Sequence, residues 1–185
     1  MHDDFPYHSE DTAPRDALGV FEASEAKYGM VANLFRKMAE APALLQGYWD
    51  LSARFEEGTL TPVEQQVVLI AVSARNGCRY CVGVHSVLAD MVQVPGEVTD
   101  ALRAGEPLPD PRLEALRRFA EQVVDERGWV PEAGVRAFLE AGFTRQQVLE
   151  VVLGVGLKTL SNYTNHLVGT ELDEPFAGRA WRSGT

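Results

Sequence analysis

Segment after segment of this chain opens on proline or a small polar residue and closes on glycine, with apolar residues three or four apart between, a punctuation that confines it to packed helices. Thr61-Pro62-Val63-Glu64 is the sharpest case. Threonine is the cap, proline the first helical residue and glutamate the third, so two orphan backbone donors are satisfied reciprocally. The run behind it, Val67-Val68-Leu69-Ile70-Ala71-Val72, is rich in β-branched residues and by periodicity alone also fits a buried strand. Its cap and its length, out to Gly77, decide for a buried helix. Thr144-Arg145-Gln146-Gln147 repeats the capping pattern ahead of an apolar segment through Leu149, Val152, Leu153, Leu157 and Leu160.

Further segments open near Pro14, Val31 and Pro42, run from Cys78 or Arg79 to about Met91, cover Pro95 to Arg103, and extend from Asp110-Pro111 to Gly128 and from Pro131 to Ala141. The expectation is one all-α domain of about seven or eight helices over residues 13–185, behind a polar, disordered tail at residues 1–12. At 185 residues the chain buries roughly 70% of its unfolded surface, so its core needs no disulfide. No apolar run approaches the roughly 20 residues that a bilayer requires. Seventeen basic against 27 acidic residues give a formal charge of −10, which repels a phosphate backbone and argues against nucleic acid as a partner. Two cysteines and no apolar N-terminal run point to a reducing, cytoplasmic location.

Those two cysteines carry the chemistry. Cys78 and Cys81 are three apart and His85 follows four later, so on a helix starting near Cys78 all three share one face. Cα atoms at that spacing lie about 5 Å apart, inside the roughly 4.4–6.8 Å range of a disulfide. A helix N-terminus favours thiolate over thiol, and His85 can take the proton or hold the thiolate as a charged partner. The dipole alone favours Cys78 as the stronger thiolate, whereas proximity to His85 favours Cys81. Two other readings stay open: small core thiols beside a satisfied helix histidine, or half of a zinc site, for which His166 is the only distant candidate ligand. His2 and His8 fall in the polar tail, where solvation explains them. Tyr80 can hydrogen-bond a substrate oxygen or be a half-buried aromatic, and Arg79 can face a thiolate or water. Asn162, Tyr163, Asn165 and His166 form a polar cluster that either approaches the dithiol or makes a helix end or subunit contact.

Thr61-Pro62-Val63-Glu64-Gln65-Gln66 with the apolar run, then Asn76-Gly77, Cys-x-x-Cys and His85, resembles the AhpD-like alkylhydroperoxidases of the carboxymuconolactone decarboxylase superfamily. The likeness is closest over residues 61–91, with looser similarity to the peroxidase-related branch in Ala32 to Arg36 and in Lys158 to Leu172. It implies an AhpD-like helical fold, assembly as homotrimers or homohexamers, and reduction of organic hydroperoxides by the dithiol without bound cofactor or metal. By that resemblance Cys81 is the residue oxidised by peroxide, Cys78 resolves its sulfenic acid into a disulfide, and a lipoyl or thioredoxin-like dithiol donor supplies electrons. One departure stands out. The family's relay glutamate, twelve residues before the first cysteine, is Gln66 here, and an amide cannot accept a proton. Glu64 is close in sequence but lies about 200° round the helix and is already explained by its cap. The competing functions are a carboxymuconolactone decarboxylase-type enzyme, whose chemistry needs no cysteine pair, and a non-catalytic redox sensor in which the dithiol switches an oligomer interface.

Overall fold

A computed structural model describes residues 4–182. They form nine α-helices: α1 (Leu18–Tyr28), α2 (Asn33–Met38), α3 (Pro42–Glu56), α4 (Pro62–Arg75), α5 (Arg79–Met91), α6 (Gly96–Ala104), α7 (Pro111–Asp125), α8 (Glu132–Glu140) and α9 (Arg145–Val168). Short 3-10 turns sit at Arg15–Ala17 and Glu174–Arg179, and no strand occurs among the described residues. Eight helices have nine residues or more, and the six-residue α2 falls on the segment expected to open near Val31.

Both capping boxes form. Thr61 Oγ1 accepts from the Glu64 amide at 3.2 Å while the Glu64 carboxylate accepts from the Thr61 amide at 2.8 Å. Thr144 and Gln147 make the same exchange at 3.2 and 2.9 Å. The second oxygen of Glu64 takes Arg112 at 2.7 Å, so this carboxylate is fully occupied at the helix start, as its capping role implies.

Helix α4 is the hub, packed against α5, α6, α7 and α9. Val67 to Val72 are all buried within the one chain, which is why this segment has no polar face to display. Helix α9 behaves differently. One face buries Val151, Gly154, Leu157, Ser161, Asn165 and Val168, whereas Leu149, Val152, Leu160, Tyr163 and Leu167 stay exposed along another. At about 100° per residue those five fall within an arc of about 80°. Gly154 sets the approach of α9: a Cβ there would lie 2.8 Å from Phe55 Cε2 on α3 and 2.9 Å from Val68 Cγ1 on α4.

Residues 5–12, expected as a disordered tail, instead pack along α2. The His8 ring spans the Thr12 carbonyl at 3.0 Å and the Glu40 carboxylate at 2.8 Å, so the solvated His8 of the sequence reading is corrected. Lys37 donates to the Phe5 carbonyl and covers the Tyr7 ring at 4.0 Å, and Tyr7 Oη accepts from the Glu171 amide at 2.9 Å. A cationic stem lying over an aromatic face and paired backbone groups supply what a purely polar tail would lack. His2 lies outside the described residues. No helix among them is long and apolar enough to cross a membrane.

Candidate active site

The link between α4 and α5 is two residues of turn, and its chemistry is local. Gly77 adopts φ +69°, a left-handed conformation that glycine enters without Cβ strain. Behind it the Cys78 amide reaches back to the Ser73 carbonyl at 2.9 Å, closing α4 in a Schellman-type turn. Cys78 thereby ends one helix and caps the next, and the Val82 amide bonds its carbonyl at 3.0 Å to begin α5. Asn76-Gly77-Cys78 therefore fixes the first cysteine at a helix N-terminus, with Cys81 and His85 following one and two turns along.

Both sulfurs converge on a single amide. Asn165 Nδ2 lies 3.3 Å from Cys81 Sγ and 3.8 Å from Cys78 Sγ, and Ser161 Oγ sits 3.6 Å from Cys81 Sγ. The cysteines are free thiols, both buried, and they are not equivalent. Cys81 lines a cavity of about 370 Å³ and Cys78 does not. The cavity has aromatic walls from Phe35, Tyr48, Trp49, Tyr80 and Phe176, and its rim includes the exposed Lys27, Tyr28, Glu56 and Met91. Across the rim Lys27 and Glu56 pair at 2.6 Å.

Electrostatics separates the thiols further. Burial pushes the Cys81 thiol up, but donation from Cys78, the charge of Lys158 and hydrogen bonds from Ser161 and Asn162 outweigh it and bring Cys81 down to about 5. Cys78 moves the opposite way, first because its thiol donates to the Cys81 thiolate and then because of burial. The dipole argument for Cys78 thus loses to the partners gathered round Cys81. Burial also raises Tyr48, on α3, above the ordinary phenol range.

His85 lies between two neighbours rather than against a sulfur. Its Nδ1 is 3.0 Å from Gln66 Oε1 and its Nε2 is 2.8 Å from Lys158 Nζ. Burial, then the Lys158 charge, holds its pKa well below the imidazole range. Lys158 itself is 1% exposed. Burial works against its charge, yet the Cys81 thiolate, Tyr48 and Cys78 raise its pKa on balance. The cationic partner of Cys81 is this lysine, where sequence reasoning looked to His85.

The other candidates distribute as follows. Tyr80 is buried, donating to Asp173 Oδ2 at 2.7 Å and accepting from the Leu34 amide at 3.3 Å, so its hydroxyl ties α5 to α2 and to the C-terminal segment. Arg79 and His166 are exposed. The groups aimed at the sulfurs are amides, a hydroxyl and an ammonium, none of them a usual zinc ligand. Asn165 and Asn162 do approach the dithiol, and Asn162 Oδ1 also accepts from Asn76 at 2.9 Å. Lys158 and Ser161 escaped the sequence reading, although one signal was present: a lysine stands among the buried positions 151, 154, 157, 161 and 165 of an apolar helix.

Residues 39–122 match the Carboxymuconolactone decarboxylase family. An uncharacterised peroxidase-related protein of Ralstonia eutropha JMP134, described as an alkylhydroperoxidase AhpD core, superposes with a TM-score of 0.84 at 25% identity, covering 96% of this chain and 97% of that one. The chain has the AhpD-like fold, and its match to the carboxymuconolactone decarboxylase family holds both cysteines and His85. A peroxidase-related protein of Silicibacter sp. TM1040 shares the AhpD-like fold at TM-score 0.80, 19% identity and 95% and 93% coverage. So does the debrominase Bmp8, solved with a tribromopyrrole, at 0.79, 15% identity and 95% and 94% coverage. No curated protein matches the chain.

Proposed function

We propose that this AhpD-like protein reduces organic hydroperoxides with the Cys78–Cys81 dithiol in the cytoplasm, drawing electrons from a lipoyl or thioredoxin-like dithiol donor. The observation that carries this is the asymmetry of the pair: Cys81, held as a thiolate, lines the cavity, and Cys78 lies behind it within reach of the same amide. Cys81 sulfur attacks one peroxide oxygen, the O–O bond breaks, and the leaving oxygen takes a proton to become the alcohol. Cys78 then attacks the sulfenic acid, a disulfide forms and water leaves. The proton on Cys78 is held mainly by its bond to the Cys81 thiolate, so consuming that charge readies the resolving step. Aromatic walls favour an organic peroxide over hydrogen peroxide.

The test is stoichiometric. Reduced protein given cumene hydroperoxide should yield one cumyl alcohol for every two thiols lost; alcohol formation without thiol loss would remove the reading. The aromatic cavity also favours a second substrate class, small aryl halides, as in the debrominase neighbour. There sulfur attacks bromine, the carbon leaves as a carbanion and is protonated, and Cys78 expels bromide as the disulfide forms. Bromide release for every two thiols lost identifies it.

Assembly as a homotrimer or homohexamer is part of the same reading. The exposed stripe of α9 repeats at three and four residues through Leu149, Val152, Gly156, Leu160, Tyr163 and Leu167, a spacing at which a second copy of the helix packs its side chains. Leu160→Glu with Leu167→Glu is expected to reduce the mass measured by sedimentation to that of the monomer, and an unchanged mass would move the interface elsewhere.

A further inference from the structure

We propose that Lys158 is a catalytic residue, its ammonium holding the Cys81 thiolate and protonating the leaving oxygen, while His85 is a neutral positioning residue that aims it. This rests on the hydroperoxide reading above and explains how the site runs with an amide at Gln66.

With Lys158 charged, the hydrogen-bond chain permits one assignment. Gln66 Oε1 accepts, so His85 Nδ1 carries the hydrogen and Nε2 presents its lone pair to the Lys158 ammonium 2.8 Å away. Turning the Gln66 amide round would place a hydrogen on Nε2 facing three ammonium hydrogens, with no acceptor between them. Both ring nitrogens are therefore spent, and His85 cannot take a proton from Cys81 without expelling its neighbour. A buried lysine in turn needs an anion. At 1% exposure Lys158 has the Cys81 thiolate, which lines the same cavity and whose charge raises the lysine's pKa. Tyr48 on α3, Cys78 at the α5 cap, and Tyr80 and His85 on α5 are the other titratable groups at this point, and α4 contributes the uncharged Gln66. Cys81 and Lys158 line the same cavity, so the proton donor and the attacking sulfur meet the substrate together.

The step balances. Cys81 thiolate, hydroperoxide and the Lys158 ammonium give the sulfenic acid, the alcohol and a neutral lysine amine: an S–O bond forms, the O–O bond breaks, sulfur loses two electrons and the peroxide gains them. The amine then accepts the Cys78 proton as its sulfur attacks, and passes it to the departing hydroxide to make water. Reduction of the disulfide by the donor dithiol returns one proton to Cys78 and one to Lys158.

The experiment uses the full chain, fully reduced, with two readouts: the midpoint of thiolate ultraviolet absorbance against pH, and the rate of the first turnover with cumene hydroperoxide at neutral pH. Lys158→Met should raise the midpoint by about 2 units or more and slow the first turnover roughly ten- to hundredfold. His85→Gln keeps an acceptor for the ammonium but cannot carry a proton; it should leave the midpoint within about 0.5 unit and the rate within about threefold, whereas His85→Leu should lose about tenfold or more. A wild-type midpoint in Lys158→Met, or a His85→Gln variant as slow as His85→Leu, overturns the proposal. Should Lys158→Met not fold, as judged by circular dichroism, the two His85 variants decide, because both retain the lysine. If wild-type protein consumes no hydroperoxide, that reading fails separately, and the midpoint shift still decides the Lys158–Cys81 pairing.

Discussion

Cys81→Ser abolishes consumption of cumene hydroperoxide in the presence of dithiothreitol, a loss on the order of 10³-fold or more, because the hydroxyl put in place of the thiolate is not ionised near neutrality. Cys78→Ser behaves differently. Its first turnover proceeds, since the serine hydroxyl can still donate to the Cys81 thiolate, and the reaction then halts at a sulfenic acid with no resolving thiol. Dimedone should label that variant at Cys81 after one equivalent of peroxide and should not label the wild type. The same logic sets the pH dependence. The thiolate is the reactive form and its pKa is depressed to about 5, so the first-turnover rate is lost as pH falls through that value and is flat above it until the Lys158 ammonium loses its proton in the alkaline range. Undiminished turnover in Cys81→Ser would remove the dithiol mechanism. A change of oligomer mass on oxidation without any turnover in the wild type would mark a sensor instead.

Gly154→Ala lowers the stability of the fold by about 1–2 kcal/mol, seen as a drop in melting temperature of about 2–8 °C. Alanine is the better helix former by about 1 kcal/mol, so propensity alone predicts the opposite sign. What decides is the space. The new methyl would stand 2.8 Å from Phe55 and 2.9 Å from Val68, two buried side chains on different helices with no room to withdraw. Gly47, within α3, is the internal control: it is exposed, meets nothing within 4 Å, and its change to alanine should raise the melting temperature. A Gly154→Ala protein that melts at or above the wild type would show that α3 and α4 yield at this contact.

The helices were legible because their boundaries are written in neighbouring residues. Thr61 with Glu64, and Thr144 with Gln147, satisfy each other's backbone donors across three positions, an interaction that needs no knowledge of the rest of the chain. The dithiol was legible for the same reason, with Gly77 turning the chain and Cys78, Cys81 and His85 stacking at helical spacing. The role of His85 was not. Spacing placed it one turn from Cys81, but whether its lone pair meets a sulfur or an ammonium depends on a helix that begins some sixty residues later in the chain. The tail at residues 5–12 misled for a related reason. Its composition is polar, and the Arg36 and Lys37 of α2, with Glu40 in the turn beyond it, are the partners that hold it.

Local spacing by itself determined where the helices start and stop, that two sulfurs share one face, and that the position of the family's relay carboxylate holds an amide. Tertiary packing alone decided which sulfur meets the cavity and which cation stands beside it. Contacts within a helical turn follow from backbone geometry, whereas the cost of burying Lys158 is met only once α9 has docked and brought it to the thiolate.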